Sequence, residues 1–142
     1  MGVTLRGKSP EVWTASFSVA ASAPAGTQVT GSIVRVAGQP AQSLLVVPND
    51  ELWEIKDFYV TSSQTPDGLI QPVVNNNIQP FQPDLNSLLI SNQNKVKLDI
   101  PIILKPGFQF YINTILLTAN GTSAVTLTLY IQVTRHSLVT SE

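Results

Sequence analysis

Three consecutive stretches in the last third of the chain alternate apolar and polar residues with a period of two. Val96, Leu98, Ile100, Ile102 and Leu104 share one parity, and Lys105-Pro106-Gly107 then turns the chain. Phe108, Phe110 and Ile112 form the next set, and Val125, Leu127, Leu129, Ile131 and Val133 follow Asn120-Gly121. Because successive side chains of a strand point to opposite faces, each run predicts a strand with one buried face. The same parity sends Gln109, Tyr111 and Asn113, and then Thr126, Thr128, Tyr130, Gln132 and Thr134, outward. Asn-Gly between alternating runs predicts a hairpin turn. Ile115, Leu116 and Leu117 are apolar in both parities, which predicts cover on both sides by the long loop or by another subunit.

Upstream, Trp13, Ala15, Phe17 and Val19 predict a strand over Val12 to Ala20, closed by Ala23-Pro24-Ala25-Gly26. A weaker strand runs from Gln28 to Ala37 with Gly31 interrupting it, and a short one from Ser43 to Val47. Over Glu51 to Thr61 the alternation breaks. Trp53 and Ile55 lie in one parity, Phe58 and Val60 in the other. A β-bulge near Lys56-Asp57 absorbs one extra residue and keeps all four buried. In the alternative, Phe58 and Val60 face a second apolar layer. Thr65-Pro66-Asp67-Gly68 is a turn by chemistry, with proline presetting φ and glycine tolerating positive φ.

A strand over Leu69 to Val74 then leads into a long polar excursion, residues 75–94, with a helical turn at Leu85 to Leu89. Phe81, Leu88, Leu89 and Ile90 demand burial, so the excursion is packed against something or functional. Eight or nine strands with almost no helix make an antiparallel β-sandwich or barrel. It occupies residues 11–136, between an amino-terminal arm of residues 1–10 and a carboxy-terminal tail of residues 137–142.

Length changes the picture little: 142 residues suit one domain. Charge changes it more. Charged residues make up 12% of the chain, against about 25% in ordinary globular proteins. Spread over about 7,000 Å² of folded surface, they leave on the order of 400 Å² per charge. The formal net charge is −1, and neither Arg6 with Lys8 nor Lys95 with Lys97 makes a basic patch. A nucleic-acid partner is therefore not expected, since phosphate neutralisation needs clustered cations. No cysteine is present, so packing, a metal or assembly must supply stability. The first residues lack the apolar run of a signal peptide, and Arg6 stands where a myristoylation signal needs Ser or Thr. No stretch approaches the roughly 20 apolar residues that span a bilayer, so no membrane insertion is expected.

Candidate chemistry is sparse, and no cofactor is expected. The single histidine, His136, has no nucleophile or orienting carboxylate at a recognisable spacing. Zinc would lack ligands. Asp50 with Glu51, or Asp84, could serve calcium, without a ligand ladder to support it. Glu54 and Asp57 are near neighbours, which the bulge explains without paired-carboxylate chemistry. Asn120-Gly121-Thr122 matches a glycosylation sequon as well as a turn. Trp53, Tyr59, Phe81 and Tyr111 could form a carbohydrate platform, although Trp53 sits in a buried parity.

One resemblance adds to this reading. Val47-Pro48-Asn49-Asp50-Glu51-Leu52-Trp53-Glu54-Ile55 opens a strand, followed by the Pro66-Asp67-Gly68 turn, a polar insertion and a lysine-flanked strand. Lys105-Pro106-Gly107-Phe108 and the segment through Asn120-Gly121-Thr122 complete the series. Over Val29 to Arg135 this order resembles the single jelly-roll modules of viral structural proteins. In particular it resembles the capsid, penton and turret proteins of tailless icosahedral DNA viruses from hot environments. Phage fibre domains and cupins share the grammar, but a cupin's metal-binding histidines have no counterparts here.

The resemblance implies a jelly roll without enzymatic activity, located in the virion and assembling with itself or with a larger coat protein. Assembly candidates are Phe81, Asp84, Gln109, Tyr111, Asn113, Thr128, Tyr130 and Gln132, with Asn120 a candidate glycosylation site. The alternative is a carbohydrate- or receptor-binding sandwich on a spike or fibre.

Overall fold

Trp13, Ala15, Phe17 and Val19 are buried to within 2% of full cover, so the first alternating run faces the core. In the computed structural model that run belongs to a long strand, β1 (Gly2–Val19), which starts well before the expected Val12. The structure describes residues 2–36, 38–89 and 97–141, with side chains over 10–36, 38–89 and 101–138. Expectations for Ile90, Asn94, Lys95 and Val96, and for the side chains of Arg6, Lys8, Lys97, Leu98 and Ile100, lie outside these.

The weak strand at Gln28 to Ala37 is two strands, β2 (Gln28–Thr30) and β3 (Ser32–Val34), divided at Gly31. The chain changes sheets there. A Cβ on Gly31 would stand 2.8 Å from the Phe17 ring and 3.3 Å from the Ile112 carbonyl oxygen, so only glycine passes between the layers. Next come β4 (Leu45–Val46), β5 (Glu51–Tyr59), β6 (Gly68–Val74) and β7 (Asn77–Ile78). A single 3-10 turn at Leu85–Leu88 follows, then β8 (Lys97–Leu104), β9 (Gln109–Leu116) and β10 (Val125–Ser141).

The strands make two antiparallel sheets. The first runs β3-β1-β10-β5-β8, and the second runs β2-β9-β6-β7 with β4 also paired to β9. From β1 onward nearly every connection crosses from one sheet to the other. The strands thus make an antiparallel β-sandwich whose chain weaves back and forth between its two layers. The inward residues of both sheets meet in one core cluster built on Trp13, Phe17, Trp53, Phe58 and Phe110.

The bulge in β5 is where the broken alternation puts it. Ile55 pairs with Val133 and Asp57 with Gln132, leaving Lys56 as the extra residue. Trp53, Ile55, Phe58 and Val60 are all 0% exposed.

Two turn expectations need correction. Residues 117–124 do not form a hairpin, because β9 and β10 belong to different sheets. The connection is held by long-range bonds: the Asn120 amide donates to the Ala23 carbonyl oxygen at 2.8 Å, and the Ser22 amide to that of Gly121 at 2.7 Å. Gly68 is required by space, not by positive φ, since a Cβ there would collide with Thr114 Cγ2. Gly107, at φ +83°, is the turn glycine the sequence predicts.

Candidate functional site

The strands of the second sheet contain no Asp, Glu, Lys, Arg or His. Among their inward side chains, Ile70, Phe110, Ile112 and Leu116 are at most 1% exposed. The opposite parity forms the outer face, where register aligns Gln71 with Asn113, Val73 with Tyr111, and Val46 with Gln109. Val46 and Ile78 are 54% and 53% exposed on this face. Asn113 is nearly buried and accepts a hydrogen bond from Thr30 Oγ1 at 2.9 Å. The first sheet has the opposite character: Glu54, Lys56, Asp57 and His136 lie on its outward parity.

This geometry divides the residues that sequence proposes for assembly. Gln109, Tyr111 and Asn113 share the uncharged outer face of the second sheet, whereas Thr128, Tyr130 and Gln132 face outward from the first. One flat contact cannot engage both sets. Phe81, 40% exposed, lies on the excursion. Asp84 caps the 3-10 turn, its Oδ2 accepting from the Ser87 amide at 3.2 Å.

The described part of the excursion is packed onto the domain. The Ile70 amide donates to the Pro83 carbonyl oxygen at 2.7 Å, so the segment lies along the part of the β6 edge that the short β7 leaves open. Leu85 and Leu88 plug the core at 0% and 1% exposure.

Beside Thr128 and Tyr130 lies a groove of about 460 Å³, walled by residues 61–65 and floored by β10 from Val125 to Thr128. Its wall is pinned. The Gln64 amide donates to Asn86 Oδ1 at 2.8 Å, and Asn86 Nδ2 donates back to the Gln64 carbonyl oxygen at 2.9 Å. Gln64 Oε1 accepts the Thr128 amide at 3.1 Å. Tyr130 stacks on Tyr59 with ring centroids 5.1 Å apart and planes 13° from parallel. Burial, and secondarily Tyr130, push the Tyr59 phenol above its ordinary value of 10.0. Trp53 is fully buried, so the platform of Trp53, Tyr59, Phe81 and Tyr111 does not exist as a surface.

An ionic cluster that sequence reasoning missed sits on the inward parity of the first sheet. Trp13 Nε1 donates to Glu11 Oε1 and Trp53 Nε1 to Glu51 Oε1, each at 2.8 Å. Arg135 joins the two acids, with Nε 2.9 Å from Glu11 Oε2 and Nη1 3.1 Å from Glu51 Oε1. The Arg35 guanidinium lies 4.7 Å from the Trp53 ring centre and 5.2 Å from that of Trp13. Burial opposes the Glu51 charge, but the Trp53 and Arg135 bonds outweigh it and hold this carboxyl below its ordinary range. Burial likewise opposes the Arg135 charge, and Glu11 and Glu51 overcome it to raise the guanidinium. The i, i+2 spacing of Glu11-Trp13 and Glu51-Trp53 was the available signal.

His136 Nε2 stands 3.3 Å from Glu54 Oε1, which also lies 3.7 Å from Lys56 Nζ. No hydroxyl bonds to His136 among the described residues. Glu51 and Asp84 spend their oxygens on the contacts given above, and among the described residues no three His, Asp or Glu side chains gather for a metal. Asn120 Nδ2 donates both to the Ala20 carbonyl oxygen at 2.8 Å and to that of Ser123 at 3.0 Å. A glycan there would cost one of these bonds.

No protein-family model matches the chain, and no curated protein does.

Proposed function

We propose that this protein is a non-enzymatic virion structural subunit, a jelly roll that assembles with copies of itself or with a larger coat protein. The observation that carries the reading is the contrast between its two outer faces. A sheet whose strands lack any charged residue, fully folded and carrying exposed Val46 and Ile78, has the composition of a contact surface more than of a solvated one. The exposed Gln109 amide offers both donors and an acceptor, which suits a wet, uncharged contact with a like face. Its five strands, two to eight residues long, about 4.8 Å apart and rising about 3.3 Å per residue, cover roughly 350 Å². Two such faces bring together about 700 Å² before side-chain relief is counted, so a specific interface of ~1,000 Å² takes in the flanking loops as well. The resemblance to capsid, penton and turret modules supports the same reading, and jelly rolls recur in capsids.

Light scattering from micromolar to millimolar concentration, with electron microscopy of the concentrated material, tests it. Oligomers or closed shells that persist in high salt are expected, because uncharged contacts are weakly screened. A strict monomer throughout that also binds no other protein of the particle it is purified with would overturn the proposal.

A further inference from the structure

We infer that the groove between residues 61–65 and β10 binds a neutral saccharide. This is independent of the assembly reading, since the groove lies on the first sheet and stays open when the second sheet is covered.

No charged side chain lines the groove, so a sialylated or sulfated ligand would find no counter-charge there. What lines it is hydroxyl-rich: the side chains of Ser63, Thr126 and Thr128 make no hydrogen bond among the described residues. Hydroxyls of this kind both donate and accept, as sugar hydroxyls do. Tyr130 borders the same space with its ring held by Tyr59, giving an amphipathic aromatic whose order is already fixed. The volume of about 460 Å³ falls within the range of small-ligand sites.

Two features separate this groove from an ordinary dent between a loop and a strand. Its wall is anchored from outside, because Gln64 and Asn86 exchange two hydrogen bonds and Asn86 is itself held by Asp67 Oδ1 at 3.2 Å. Little ordering is left to be done on binding. An added peptide strand is disfavoured as the occupant, because Gln64 Oε1 already takes the Thr128 amide that such a strand would need.

The test is binding of the whole chain to an array carrying neutral hexose oligosaccharides alongside sialylated and sulfated ones. Affinities are then measured by saturation-transfer NMR or calorimetry. Neutral binding that is insensitive to salt is expected. The double substitution Thr126→Val and Thr128→Val keeps β-branched shape while removing two hydroxyls. It should weaken binding about 5- to 100-fold, the product of two neutral hydrogen bonds, with an unchanged melting temperature. Gln109→Lys, on the other sheet, should leave binding unaltered. Absence of neutral binding at millimolar sugar, binding confined to acidic glycans, or binding indifferent to the double substitution would each overturn the inference.

Discussion

Arg135 lies in the inward parity of β10, where the run of Leu129, Ile131 and Val133 leads one to expect another apolar side chain. Alternation reports which face a residue occupies, but not whether that face is still core at its position. Here it has reached an end where Glu11 and Glu51 can meet a guanidinium that remains 31% exposed. Partial hydration keeps the desolvation cost of these charges moderate. Asp67 and Asp84 were equally hidden, because a turn carboxylate and a loop carboxylate become neighbours only after folding. Burial, then the hydrogen bond to Asp84, raises Asp67 above its ordinary 3.8, whereas the same bond lowers Asp84. Of the two, Asp67 is therefore the one that keeps a proton to higher pH, and Asp84 the one that ionises first. For Asp67 the stabilisation is complete below its ordinary value and is lost as pH rises through its raised one. For Asp84 it is present above the ordinary value and lost as pH falls through the lowered one. Asp67→Asn retains an oxygen for the Gly68 and Asn86 amides and supplies a permanent donor to Asp84. Thermal melts should show the variant at least as stable as the parent at pH 7, with the loss of stability that the parent shows as pH rises above the ordinary carboxylate value reduced. A clearly lower melting temperature at pH 7 would contradict the shared proton.

At the scale of elements, β5 shows what a defect in a pattern can reveal. Because strand periodicity is two, a change of parity within one strand must be absorbed by an extra residue or by exposing half the apolar set, and Trp53 and Phe58 are both too large to expose. That made the bulge legible. Sheet membership was not legible, since Leu116 and Val125 read alike whether their strands pair or stack, and Asn120-Gly121 therefore suggested a hairpin in place of a crossing. Gly31 was visible only as a weakness in a strand, because the Phe17 ring that requires it is distant in sequence. The bulge makes a sharp prediction. Lys56→Ala removes one exposed ion pair and should change stability by no more than about 0.5 kcal/mol. Deleting Lys56 forces a regular ladder that turns either Trp53 and Ile55 or Phe58 and Val60 outward, and should cost several kcal/mol or prevent folding. Urea unfolding of the two variants distinguishes these outcomes, and a deletion as mild as the alanine change would refute the bulge.

For the whole molecule, the consequential property is that charge is partitioned between sheets instead of being merely scarce. A low charged fraction was visible in the composition, but its concentration in β1, β5, β8 and β10 became meaningful only once those strands proved to be one sheet. The partition allows assembly and folding to be separated by experiment. Gln109 is exposed on the outer face of the second sheet and its side chain makes no hydrogen bond among the described residues, so Gln109→Lys should fold normally. If copies meet through that face, the substitution places like charges in or beside an otherwise uncharged contact, a juxtaposition that costs up to several kcal/mol. Val12, 47% exposed on the outer face of the first sheet, provides the control. Val12→Lys adds the same charge where charge is already carried. Concentration-dependent light scattering should show Gln109→Lys shifted toward monomer by about tenfold or more in dissociation constant, partly restored by high salt through screening, with Val12→Lys assembling as the parent does. Equal effects of the two lysines would mean that assembly responds to net charge alone, and a stronger effect of Val12→Lys would move the contact to the first sheet.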